Sequence, residues 1–114
     1  MNKINLPQTG FYYHYKHDPA GSFENYAYEV VGVGLHTEMP HEDAIDPEEG
    51  MLVVYRPLYE SAFVYKMGKL FNVRPLKLFM EDIEKNGQIM RRFAPITDPD
   101  FIAKLKIRAN TLYS

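Results

Sequence analysis

Two arginines held in the same short phrase are the residues best suited by type and spacing to do chemistry. Tyr55-Arg56-Pro57-Leu58 and Val73-Arg74-Pro75-Leu76 each close an apolar run with an arginine set against a proline. A guanidinium presents a planar fork that matches a carboxylate or phosphate, and tyrosines beside it offer flat faces for stacking. Arg56 and Arg74, with Lys16, Tyr15, Tyr55 and Tyr59, therefore read as a site for a polar or anionic ligand. A nucleotide, a single-stranded nucleic acid or an acidic group would each suit it. The structural alternative is that each arginine pairs with an acid such as Glu38, Glu60 or Glu81 and pins a strand end.

Other chemistries fit less well. Serine occurs only at Ser22, Ser61 and Ser114, none of them in a G-x-S-x-G turn, and cysteine is absent, so no covalent nucleophile stands ready. The lack of cysteine also excludes disulfides and thiolate zinc sites, and it fits a cytoplasmic location. His14 and His17 lie three apart, while His36 and His41 flank Glu38 and precede Glu42. These are acceptable zinc-ligand types, but their spacing matches no metal motif, so neither a metal nor another cofactor is expected. His36 with Glu38 is the basis of the alternative function, a small metal-dependent or acid–base hydrolase.

The elements that must position these residues can be read from the pattern. A residue before proline is pushed toward extended geometry, so both arginines are expected at strand ends. Met51–Tyr55 is apolar without alternation, as in a strand covered on both faces. Ala62-Phe63-Val64-Tyr65 reads as a further short strand between the two phrases. In an up-down-up meander the first and third strands would run the same way, and Arg56 and Arg74 would emerge at one edge about 10 Å apart.

Gly10–Lys16 is rich in aromatics and reads as a first strand, followed by a turn cluster at 17–22. Asn25–Leu35 is a second, with Tyr26, Tyr28 and Val30 on one face, and Gly32 and Gly34 mark a bulge or bend. Residues 38–50 form an acidic loop with six carboxylates and two prolines. Leu76–Phe79 allows one helical turn, and Asn86-Gly87 between Met80–Lys85 and Gln88–Phe93 predicts a type I′ hairpin. A helix through Leu76–Lys85 is the competing reading. Thr97-Asp98-Pro99-Asp100 then caps an amphipathic helix over 97–113, with Phe101, Ile102, Leu105, Ala109 and Leu112 at helical spacing.

The totals bound the rest. A chain of 114 residues makes one domain over 1–114. No segment reaches the roughly 18 apolar residues of a membrane span, so no membrane partner is expected. Residues 1–60 carry ten acids and three bases, a balance of −7, and residues 61–114 carry five acids and ten bases, a balance of +5. Such asymmetry can steer anions to one side, but the net charge of −2 and the lack of a basic run weigh against nucleic acid as the main partner. A protein partner or a homodimer is equally compatible.

Taken together, Gly10, Tyr12, His14, Tyr15 and Lys16 open a pattern that continues with Tyr28, Val30 and Gly32, then His36, Thr37 and Glu38. It runs on through Val53, Val54, Tyr55, Arg56, Leu58 and Tyr59 to Val73, Arg74, Pro75, Phe79 and Glu81, and closes on Arg92 and Phe93. In these motifs residues 10–93 resemble a small bacterial group, domain-of-unknown-function family 1653. Two departures are Phe71-Asn72 where the family carries a tryptophan, and a longer acidic loop after Glu38. The resemblance implies an SH3-like β-barrel and no defined activity. The expected fold is thus mainly β, a small SH3-like, partly open barrel of about five to seven short antiparallel strands with one C-terminal α-helix. The expected function is a noncatalytic binding or interaction domain for a polar or anionic ligand.

Overall fold

Alternating apolar residues along five strands build an open antiparallel sheet with a different layer on each face. The computed structural model describes residues 5–36, 50–59 and 70–113. The strands are β1 (Gly10–His14), β2 (Ala27–Leu35), β3 (Met51–Pro57), β4 (Asn72–Pro75), β5 (Asp82–Lys85), β6 (Gln88–Arg91) and β7 (Phe93–Pro95). Two helices, α1 (Leu76–Met80) and α2 (Pro99–Tyr113), complete the described elements. The order of the main sheet is β4-β3-β2-β1-β7, with β5 and β6 forming a separate two-stranded sheet. Its edges, β4 and β7, do not pair with each other, so the fold is mainly β without a closed barrel. Both edge strands end on a proline, which cannot donate to a further ladder.

The meander is not what forms. β3 pairs directly and antiparallel with β4, from Leu52 opposite Pro75 to Tyr55 opposite Asn72. The two Arg-Pro phrases therefore run in opposite directions. The strand expected at 62–65 and the acidic loop before Gly50 lie outside the described residues.

Register assigns the faces. Tyr12 lies opposite Tyr28, Val30 opposite Tyr55, and Val53 opposite Arg74, so these side chains share one face. On it Tyr12, Val30, Val53, Tyr55 and Phe93 pack with Leu76 and Phe79 of α1. Phe79 stacks on Phe93 with ring centroids 4.3 Å apart and meets Tyr12 and Tyr55 edge-on. The other face carries Phe11, Ala27 and Leu58, which pack against Leu105 and Ala109 of α2. The Gly32 signal corresponds to a register shift between Val30 and Gly32.

α2 starts where the capping pattern placed it. Asp98 is its cap: the carboxylate accepts the Asp100 N–H at 2.9 Å, and Pro99 sits at the first helical position. Leu105, Ala109 and Leu112 are buried and Ile102 is half-buried, but Phe101 stays 36% exposed, its ring edge-on to Tyr13. Burial of Leu105 and Leu112 contributes roughly 1.5–3 kcal/mol each before chain entropy is counted. At the C-terminal end the Arg108 guanidinium donates to the Leu58 carbonyl at 3.0 Å.

The hairpin forms as its turn residues require. Asn86 and Gly87 both have positive φ, 54° and 78°, and join β5 to β6. Glu81 is extended, which ends α1 after Met80 and rules out the longer helix.

Candidate functional site

Antiparallel alternation brings the ends of β1 and β3 and the starts of β2, β4 and β7 to one end of the sheet. There, on the face that carries α1, an open cleft of about 370 Å³ is lined by His14, Lys16, Tyr26, Tyr28, Tyr55, Pro57, Tyr59, Asn72, Arg74 and Phe93. The adjoining wall is the aromatic core itself, since Tyr55 and Phe93 belong to both.

Arg74 is the central cation. Its Nε donates to the Tyr55 hydroxyl at 3.1 Å, and the guanidinium carbon lies 5.6 Å from the centre of the Phe93 ring. Use of Nε in this way orients the group, and neither terminal nitrogen has a hydrogen-bond partner among the described residues. Among the described residues Arg74 makes no ion pair. Lys16 likewise has no acidic partner among them, and its ammonium lies 6.0 Å from the Tyr15 ring centre.

The Tyr28 and Tyr59 hydroxyls stay protonated. Tyr28 and Tyr59 share a hydrogen bond of 2.6 Å. Burial pushes both phenols up; the shared bond raises Tyr28 further and lowers Tyr59, as expected if Tyr28 donates. His14 is held neutral: burial, followed by the charges of Arg92, Lys16, Arg74 and Lys85, lowers it to about 4. Its Nδ1 accepts the Lys16 N–H at 3.2 Å, which leaves the ring proton on Nε2. The cleft therefore combines fixed cations, neutral hydroxyl and imidazole groups and aromatic walls. Among the described residues its lining holds no carboxylate.

The structure separates the sequence-selected residues. Lys16, Tyr55, Tyr59 and Arg74 meet in the cleft. Tyr15 lies beside it, tilted against His14 at 4.3 Å, and borders a smaller hollow. Arg56 is on the opposite face, paired with Glu29 at 2.9 Å and stacked 4.1 Å from the Tyr113 ring centre. Of the three acids expected as partners, Glu81 pairs with Arg92 instead, and Glu38 and Glu60 lie outside the described residues. His36 lies eight residues along β2 from Tyr28, roughly 25 Å toward the far end of the strand. Its N–H donates to the Gly50 carbonyl at 2.7 Å. Glu38 lies outside the described residues.

Sequence reasoning missed Tyr26, Tyr28, Asn72 and Phe93 as lining residues and considered His14 only as a metal ligand. The signal for Tyr28 was its face of the second strand; Tyr26 lies just before β2 with a left-handed backbone, and Asn72 and Phe93 required the register of β4 and β7. No three His, Asp or Glu side chains among the described residues converge as a metal site would need. A larger hollow of about 500 Å³ between the N-terminal segment and α2 is walled mainly by apolar side chains and backbone. Its lining also includes the cations Arg91 and Lys106 and the hydroxyls of Thr9, Tyr12 and Thr97, and Arg91 there donates to the Met80 sulfur.

Fold and cleft together define a mainly β protein with an aromatic, cationic hollow at one end of an open sheet. The chain belongs to the family of proteins of unknown function DUF1653, which matches residues 10–95, from the start of β1 to the end of β7. Comparison with curated proteins and with solved structures gives no match. Among the described residues no helix is long and apolar enough to cross a membrane.

Proposed function

We propose that this protein is a noncatalytic binding domain that takes an anionic ligand in the cleft, with Arg74 as the main contact and Lys16 beside it. The observation that carries the reading is the placement of Arg74. Its guanidinium is half-buried, oriented by Tyr55 and Phe93, and has no acidic partner among the described residues. A guanidinium held in this way keeps its fork available for an incoming phosphate or carboxylate. Neutral Tyr28, Tyr59 and His14 supply hydrogen bonds to the rest of the ligand without competing negative charge. Arg56 does not share this ligand, because Glu29 and the opposite sheet face hold it. The hydrolase alternative has less support, since His36 lies far from the cleft.

An SH3-like arrangement and a cytoplasmic location belong to the same proposal. The bulge that interrupts β2 and the absence of cysteine support them.

Calorimetric titration with inorganic phosphate, adenosine monophosphate and acetate tests the site. Charge-assisted hydrogen bonds contribute about 1.5–3 kcal/mol, so Arg74→Ala should weaken the strongest of these roughly ten- to a hundredfold. Arg74→Lys should also bind poorly, because an ammonium cannot reproduce the planar fork. No binding to the parent protein, or unchanged affinity in Arg74→Ala, overturns the proposal.

A further inference from the structure

Tyr26 is the anomaly of the cleft. It is a bulky residue in the left-handed region, with φ 52°, a conformation that glycine or asparagine adopts far more readily. Its surroundings hold it there. The His14 N–H donates to the Tyr26 carbonyl at 2.9 Å, and the preceding Asn25 is tied through its side chain to Asp18. The consequence is a tyrosine ring at the rim of the cleft, still 37% exposed. It packs against His14, with centroids 5.8 Å apart and planes 28° apart, and against Tyr59 at 5.6 Å. A strained backbone that presents an aromatic face to solvent beside a cation is a feature that packing alone does not require.

We infer that the ligand carries a flat nitrogen heterocycle as well as its acid group, and that this ring stacks on the outer face of Tyr26 while a phosphate monoester meets Arg74 and Lys16. This rests on the anion-site reading above and adds to it the chemical class of the ligand. His14 and Tyr59 pack against the Tyr26 ring and fix it, while 37% of the residue stays exposed. Two cations in the lining favour a dianionic phosphate over a single carboxylate. The cleft volume of about 370 Å³ suits a ligand of mononucleotide size. Recognition by stacking tolerates different bases, because each presents a π face.

The inference predicts a discrimination that an anion site alone does not make. Adenosine monophosphate should bind the parent protein about tenfold more tightly than ribose 5-phosphate, in line with one base stacked on an aromatic side chain. Tyr26→Gly should remove most of that difference while leaving the affinity for ribose 5-phosphate and inorganic phosphate nearly unchanged. Because the left-handed position suits glycine, the same variant should melt no lower than the parent. Tyr26→Asn is a second replacement compatible with this backbone, and Tyr26→Phe should retain the preference. Titration of all four proteins at one ionic strength, with melting curves alongside, reads each outcome. Equal affinity of the parent for adenosine monophosphate and ribose 5-phosphate overturns the inference and leaves the anion site standing. So does a preference that survives in Tyr26→Gly or Tyr26→Asn. Failure of inorganic phosphate and both esters to bind the parent overturns the anion site, and the inference with it.

Discussion

Replacement of Arg56 by alanine separates a structural arginine from a ligand-binding one. Its Nε and a terminal nitrogen both reach the same Glu29 oxygen at 2.9 Å, with the two side chains 21% and 24% exposed. The guanidinium also covers Tyr113 at 4.1 Å, on the last turn of α2, while the Tyr113 hydroxyl donates to the Pro57 carbonyl. A partly buried charge-assisted bond contributes about 1.5–2 kcal/mol and the stacking about 0.5–1, so the loss should total about 2–3 kcal/mol. For a chain of this size that is a fall in melting temperature of roughly 8–12 °C. Arg56→Lys should recover part of it, and a double-mutant cycle with Glu29→Gln should give a coupling of about 1 kcal/mol. Differential scanning calorimetry measures the stability, and phosphate titration of the same variant should match the parent. A melting temperature within about 1 °C of the parent would show that the pair contributes little, as exposed ion pairs often do. Weaker phosphate binding with intact stability would refute the assignment of Arg56 to the face away from the cleft.

Two further outcomes follow from the packing and from His14. Leu105→Ala, at a fully buried position on α2, should cost about 2–5 kcal/mol in denaturant unfolding, and truncation after Thr97 should lower the melting temperature still more. An unchanged melting curve after truncation would mean the helix contributes nothing to the fold. His14 has a folded pKa of about 4, below its ordinary value of 6.5, so within that window the unfolded chain binds more protons than the native one. Stability should therefore fall as pH is lowered from 6.5 to 4, and His14→Gln should flatten that slope. A dianion in the cleft should raise the His14 pKa, which NMR titration with and without phosphate reads directly. A histidine that titrates near 6.5 in the free protein would contradict the geometry around it.

Much of the architecture was legible because it depends on local chemistry. Asn86-Gly87 can satisfy two successive positive φ angles at little cost, so the hairpin was readable from two residues. Asp98-Pro99-Asp100 announces a helix start, and the spacing of Leu105, Ala109 and Leu112 its buried stripe. The prolines after Arg56 and Arg74 correctly marked strand ends, whereas Tyr26, expected on the second strand, lies just before β2 with a left-handed backbone. Those features need no knowledge of what lies across the sheet.

The relation between the two arginines did need it. Side-chain direction alternates with every residue, so which face a residue occupies depends on the register with the neighbouring strand. The antiparallel pairing that sets Val53 opposite Arg74 puts Arg74 with Tyr55, and Arg56, three residues from Val53, on the reverse side. No repeat of Arg-Pro-Leu could reveal that, because it is set by a contact between segments about twenty residues apart. The same holds for Phe93, which joins the site only because β7 pairs with β1 at the sheet edge. Residue types alone pointed to an arginine and tyrosine site; tertiary pairing decided which arginine has a carboxylate for a partner and which faces an open cleft.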